Sequence, residues 1–492
     1  MRPARSTVAA VAGSIMLAFA VSGAGAVSVA AGSAPAASSA SGPVVLISSN
    51  LRHVTGAHPV PPTTAYCEAH YKIACYQPRQ IEQAYNLRRL YARGITGKGQ
   101  TIIIVDSYGS PTVAHDLAVF DQAAHLPGPP SLKIIQPAGR VAPYVPDSNR
   151  EGWAGETELD VEYAHAIAPG AKILLVETPS SENEGRTGFP QIEAAEKYVI
   201  SHHLGGVISQ SFSATEQSFA TPERLLTLRG AYEDAFRHHI TVLAASGDSG
   251  AADVGYDGST YFLFPVTSWP DSDPLVTGVG ATRLHLRAAG HPARRATVWN
   301  DTFSVPANVY IAGNKGPNPL ASGGGKSVIF RRPWYQDGVR AVVGGSRGVP
   351  DISMSGACNG AADMYQSFKG QTAGWYPTCG TSEATPEFAG IVALADQVAG
   401  HPLGLINPDL YLLSAARAPG IVGVTRGNNT VSFRQGKLRT VTGFKAGPGY
   451  NLATGVGTVN APEFVSELAF LARHPHRHWT VRQLRLALRR LG

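Results

Sequence analysis

Ile240-Thr241-Val242-Leu243-Ala244-Ala245-Ser246-Gly247-Asp248-Ser249-Gly250 is an apolar run that stops on a small, polar turn bracketed by glycines. Its first five residues read as a short buried strand, which carries the Asp248 carboxylate to its own carboxyl end. Residues 101–105, 172–176 and 206–209 have the same character. Between these runs, helical patterning covers residues 156–166, 191–202 and 222–238. Strands alternating with helices predict an α/β fold: a parallel sheet flanked by helices on both faces, here in one large domain. In such sheets chemistry gathers outside the carboxyl ends of the strands. Asp106, the Ser209-Gln210-Ser211 run and Asp248 all stand at such ends.

Only 15% of the 492 residues are charged, and 54 are glycine and 35 proline, which fits a loop-rich secreted globule and excludes a coiled coil. Residues 1–26 read as an export signal, with Arg2 and Arg5, an apolar run over 8–21, and Ala24-Gly25-Ala26 as the cleavage site. That run is short for a bilayer span, and no other segment approaches transmembrane length. Residues 27–61, rich in Ala, Ser, Gly and Pro, read as a flexible leader before one large folded domain over 62–472. The net charge of +6 resides in a basic tail, 473–492, with six arginines and no acid. A basic amphipathic tail can make weak contact with an acidic surface, but a solvated terminal helix is the reading preferred for it. No basic–aromatic pattern points to nucleic acid. Cys67 lies close to Cys75 and Cys358 close to Cys379, so two local disulfides are expected; neither pair has the CxxC spacing of a zinc site.

The Ser322-Gly323-Gly324-Gly325-Lys326-Ser327 run invites a phosphate-loop reading, but Leu320 stands where that motif requires its first glycine. Three other motifs carry more chemistry. Gly155-Glu156-Thr157-Glu158-Leu159-Asp160 puts Glu156 and Asp160 one helical turn apart, facing the same way. Glu158 and Glu162 repeat the spacing on a neighbouring face, so a solvated acidic helix face is the plain alternative. Gly380-Thr381-Ser382 precedes an apolar helical run over 388–398, and Pro386, tolerable in a first turn, puts Ser382 near the helix start. Alone, Ser382 reads as an N-cap and Asp248 as a turn aspartate.

Taken together, the three motifs resemble the sedolisin (serine-carboxyl peptidase) family, and the resemblance runs over roughly residues 65–468. Ser382 and Pro386 keep the family's spacing of serine and proline, and Ala168-Pro169-Gly170-Ala171-Lys172-Ile173 matches the segment just after its catalytic helix. Phe264-Pro265, Gly278-Val279-Gly280-Ala281-Thr282, Ala321-Ser322-Gly323-Gly324-Gly325 and Arg347-Gly348-Val349-Pro350-Asp351 match in the same order. The resemblance implies a subtilisin-like fold and a secreted endopeptidase acting on protein or peptide substrates through an acyl-enzyme on Ser382. Glu156 would be the base, Asp160 the acid that orients it, and Asp248 the oxyanion donor. A carboxyl group donates a hydrogen bond only when protonated, which favours acidic pH.

Four departures qualify the resemblance. Asp106 stands where the family commonly has glutamate, and Phe212 where its Ser-x-Ser-Trp motif has tryptophan; both are expected behind Glu156. The family's calcium site falls on residues 423–425 and 447–451, where Gly423 and Asn451 replace its two aspartates. Calcium prefers several charged oxygens, so no tight metal or other cofactor is expected. The leader is also shorter than a propeptide that folds alone. Two rival readings remain. A subtilisin-type triad would need a histidine where Glu156 stands, and His165, further along the helix, suits packing or surface better. A secreted binding protein that keeps the peptidase fold without turnover is the rival from another class.

Overall fold

The computed structural model describes residues 52–182, 187–304, 317–474 and 479–489, so the export signal and the leader as far as residue 51 lie outside the described residues. The central sheet has eight strands: β1 Thr101–Ser107, β2 Leu132–Ile135, β3 Lys172–Thr178, β4 Val207–Gln210, β5 Thr241–Ala245, β6 Thr277–Arg283, β7 Thr297–Val298 and β8 Ile352–Ser355. They run β7-β6-β5-β4-β1-β3-β2 across the sheet, with β8 also paired to β6. Every pairing is parallel except that of β7 with the end of β6, so the sheet is mixed at one edge, where the sequence predicts a purely parallel one.

The four strands expected from the sequence are present, and β1 runs two residues further, placing Asp106 opposite Glu177 within the ladder. Period-two alternation sorts the side chains of β1: Ile102 and Ile104 join one apolar cluster, Ile103 and Val105 the other. Helices cover both faces: α1 Val113–Ala124, α2 Ser148–Ile167, α3 Phe189–Ser201, α4 Gly230–Arg237, α5 Thr381–Ala399, α6 Asn407–Ala416, α7 Ala461–Ala472 and α8 Val481–Leu488. Leu159 and Ile167 of α2, Phe388 and Ile391 of α5, and Phe464 of α7 pack with Ile102 and Ile104. Phe189 and Ile192 of α3 and Tyr232 of α4 pack with Ile103 and Val105.

Two helices differ from expectation. α2 begins eight residues before Glu156, although Gly152 and Gly155 each disfavour helix by about 1 kcal/mol. Asp147 caps it by accepting from Asn149 N and Arg150 N, and burial of Trp153 offsets the glycines. The helix expected over 222–238 is two pieces, Pro222–Leu226 and α4, interrupted ahead of Gly230. At the chain end, Leu484 and Leu488 of α8 are buried in the first cluster, and Arg485 donates to the carbonyls of Ala415 and Ala416 at the end of α6. This part of the basic tail is docked on the domain rather than solvated all round.

A hairpin, β9 Ala361–Gln366 and β10 Gly374–Cys379, feeds directly into α5. Its outer edge is covered by Arg52–His53, paired antiparallel with Thr378 and Cys379. The disulfides are Cys67–Cys75 and Cys358–Cys379, the second closing immediately before Gly380. Among the described residues no helix is long and apolar enough to cross a membrane.

Candidate active site

Glu156 and Asp160 are both fully buried, as are Glu158 and Glu162, so the acidic face of α2 is not a solvated one. The two pairs have different surroundings. Glu158 accepts from the hydroxyls of Ser110 and Thr112, and Glu162 from Tyr365 N. Asp160 instead accepts from Ser211 Oγ at 2.7 Å, just past the end of β4. Burial holds the Asp160 carboxyl well above the usual carboxylate range; the charges of Asp106 and Glu156 push it further, and the Ser211 hydroxyl pulls it back. Asp106, also fully buried, is raised to about 7 by desolvation, restrained by the Thr157 hydroxyl and lifted by the charge of Glu177. Glu156, Asp160 and Asp106 are thus one electrostatic group.

Phe212 directly follows Ser211. Its ring packs 6.2 Å from Trp153 and 6.3 Å from Phe189, in the apolar cluster apart from the one Ile104 enters. Asp106 couples electrostatically to the carboxylates, and the Phe212 ring packs on Trp153, which lies one helical turn before Glu156 on α2. His165 is buried, with Nε2 against the Pro127 carbonyl at 2.8 Å and Asp121 at 3.2 Å, a packing role.

Ser382 is the second residue of α5, which opens after Gly380 at φ 145°, a conformation that favours glycine. Its Oγ is buried and makes no hydrogen bond within the described residues. The first N–H groups of a helix have no intrahelical acceptor, so the start of α5 presents donors and a positive dipole end. Pro386 lies in the second turn rather than the first, and having no N–H it leaves the Ser382 carbonyl without its helical donor. Ser211 Oγ lies 3.5 Å from that carbonyl oxygen.

Asp248, 3% exposed, meets the start of α5 through Thr381. Its Oδ1 accepts from Thr381 N at 2.7 Å and from Thr381 Oγ1 at 2.9 Å. The same Thr381 hydroxyl accepts from Gly247 N at 3.1 Å. The glycine run once open to a phosphate-loop reading lies against this turn: Gly323 N donates to Gly247 O at 2.7 Å, and a Cβ at Gly323 would fall 1.8 Å from Ser246 O. Close backbone packing accounts for that glycine.

Sequence reading missed four residues here. Thr381 and Ser211 were visible within quoted motifs, but nothing local marked them as partners of Asp248 and Asp160. Glu383 and Glu387 are fully buried on α5, one turn apart. Burial holds both well above the carboxylate range; Asp248's charge adds to the rise at Glu383, and Glu383's charge to that at Glu387, while Ser355 opposes both. Their spacing inside an otherwise apolar helix was the available signal. At the expected calcium position, Asn451 Oδ1 accepts from Ala453 N, Thr454 N and Thr454 Oγ1 at 3.0–3.1 Å, and Asn451 Nδ2 points to Val424 O at 3.5 Å. An amide oxygen surrounded by donors is turned away from a cation, so the residues present do not fit calcium.

Comparison with known proteins agrees with this geometry. The sequence model of the subtilase family (Peptidase_S8) matches residues 147–436. Kumamolisin of Bacillus sp. (strain MN-32) is 33% identical over 395 residues, covering 78% of this chain and 62% of kumamolisin. Tripeptidyl-peptidase 1 of Canis lupus familiaris is 29% identical over 336 residues, covering 64% of this chain and 52% of that protein. The chain therefore spans only about half to three-fifths of the length of these relatives. Among solved structures, Pseudomonas sedolisin, a serine-carboxyl proteinase complexed with two molecules of pseudo-iodotyrostatin, superposes with a TM-score of 0.65 at 25% identity, over 81% of this chain and 98% of that one. Motif order, sheet and comparisons converge: the chain belongs to the subtilase family, and within it to the sedolisins.

Proposed function

We propose that this protein is a secreted serine-carboxyl endopeptidase, which hydrolyses protein or peptide substrates at acidic pH through an acyl-enzyme on Ser382. The observation that carries the reading is the hold of Thr381 on Asp248. Two donors on Oδ1 leave Oδ2 as the oxygen to bear the proton when Asp248 is neutral. A neutral Asp248 then has one O–H to give to a developing oxyanion, beside the backbone N–H of Ser382 at the start of α5.

Ser382 Oγ attacks the scissile carbonyl as Glu156 takes its proton, with Asp160 orienting Glu156 and sharing charge with it. Negative charge passes to the carbonyl oxygen, which Asp248 and that backbone N–H stabilise. Glu156 returns the proton to the leaving amine, and the acyl-enzyme remains. Water, deprotonated by Glu156, then attacks the ester carbonyl; the second intermediate collapses to the carboxylic product and Ser382 regains its proton. Burial of carboxyls without basic partners favours forms that hold protons, which suits acid. The export-signal motif and two disulfides support secretion. No calcium is assigned a part.

The test is hydrolysis of an unfolded protein at acidic pH, compared with Ser382→Ala. Internal cleavage by the parent and none by the folded variant is expected. Equal hydrolysis in both would remove the reading, and specific peptide capture without turnover would favour a binding protein on the same fold.

A further inference from the structure

We propose that Ser211 is a positioning residue, tying the protonation of the Glu156–Asp160 pair to the backbone of the nucleophile. This rests on the catalytic reading of that pair. The Ser211 hydroxyl has one hydrogen and two acceptors: Asp160 Oδ1 at 2.7 Å and the Ser382 carbonyl oxygen at 3.5 Å. All three residues are fully buried. The Ser382 carbonyl is in want of a donor because Pro386, four residues on, has no N–H. Ser211 itself is held in place by β4, which lies between β1 and β5 inside the sheet.

The groups that face Asp160 are Glu156 on its own helix and Asp106 on β1, with Glu177 of β3 behind Asp106. All are acids. Ser211 is the group that favours the ionised form of Asp160, because a hydroxyl donating to a carboxylate stabilises its charge. While Asp160 is charged, the Ser211 hydrogen belongs to it. Once Asp160 is protonated on Oδ1, that carboxyl can donate to Ser211 Oγ, and the Ser211 hydrogen is released toward the Ser382 carbonyl. No covalent bond changes and each proton stays on its own oxygen; only the donor direction reverses. The first turn of α5 is therefore gripped most firmly when the pair holds its full complement of protons, the state reached after Ser382 has been deprotonated.

The experiment uses the full chain with Ser211→Ala and Ser211→Thr. Loss of the donor should raise the proton affinity of the pair, so the acidic limb of the pH–rate profile should move to higher pH in Ser211→Ala by about one unit. Ser211→Thr keeps the hydroxyl and should restore the parent limb. A second readout does not depend on turnover: the carboxyl carbon of Asp160, assigned by its loss in Asp160→Asn, is titrated by NMR. Its titration should move upward in Ser211→Ala and return in Ser211→Thr. If the folded alanine variant merely slows at every pH, or if the Asp160 titration stays where the parent has it, the proposal is overturned. Should the parent show no Ser382-dependent hydrolysis, the proposed function fails by itself, while the NMR titration still decides for or against Ser211.

Discussion

Asp248 Oδ1 receives both the backbone N–H and the hydroxyl of Thr381, the residue immediately before Ser382. The acid proposed for the oxyanion is thereby fastened to the helix turn that carries the nucleophile. Neither can shift without the other, and the oxygen left to bear a proton is defined.

Asp248→Asn supplies a donor that does not ionise. As pH rises, the parent should lose activity when its carboxyls lose their protons, with apparent values that belong to the whole coupled group. The variant's residual activity should decline less steeply toward neutral pH, even from a maximum about tenfold or more lower. Paired pH–rate profiles on one peptide check this. A parent most active in alkali, with the variant tracing the same curve, would rule out the role.

Glu156→Gln and Asp160→Asn should each cost nearly as much as the double variant, since the two act as a unit. A loss of about a thousandfold or more in kcat/KM is expected for each. The check is a double-mutant cycle; losses that simply multiply would mark the carboxylates as independent.

Stability should fall as pH rises from about 4 to 7. The folded chain holds Asp106 at about 7 against an ordinary 3.8, so between those values the folded state keeps a proton that the unfolded state has lost. Proton release on unfolding makes unfolding easier with rising pH, and the stabilisation present below the unfolded value is lost through this window. Glu383 and Glu387 are raised in the same direction and add to the trend. Asp106→Asn should flatten the dependence by on the order of 4 kcal/mol at most. Thermal unfolding across this range, parent against variant, measures it.

Calcium should matter little. With Asn451 Oδ1 taken up by Ala453 and Thr454, excess calcium or a chelator should move the unfolding temperature by no more than about a degree, against several degrees for a tightly held structural ion. A large loss in chelator would show a site formed by other ligands.

Much of the α/β alternation was legible from residues alone, because period-two and period-3.6 patterns are properties of a short window. The runs over 101–105 and 240–244 show it: each reads as a buried strand from its own residues, and the helical patterns between them supply the alternation. The antiparallel β7 was not legible, since two residues carry no period. The break before Gly230 was missed because its flanking segments share one helical pattern. At the site, Ser382, Glu156, Asp160 and Asp248 could be picked out by their motifs, but the placement of Phe212 could not. Its ring partners, Trp153 and Phe189, come from distant parts of the chain that no window around Phe212 contains.

By itself, then, the sequence determined which chemical groups this protein has and the order in which the chain presents them at strand ends and helix starts. Only the tertiary structure decided which of them are partners. Thr381 and Asp248 are 133 residues apart, and Ser211 and Asp160 are 51 apart. Their hydrogen bonds, like the burial that turns the acidic face of α2 from a solvated surface into a set of proton-holding carboxyls, come from neighbours brought together in folding. Desolvation and donor geometry are properties of that assembled surrounding, and no local stretch of residues contains them.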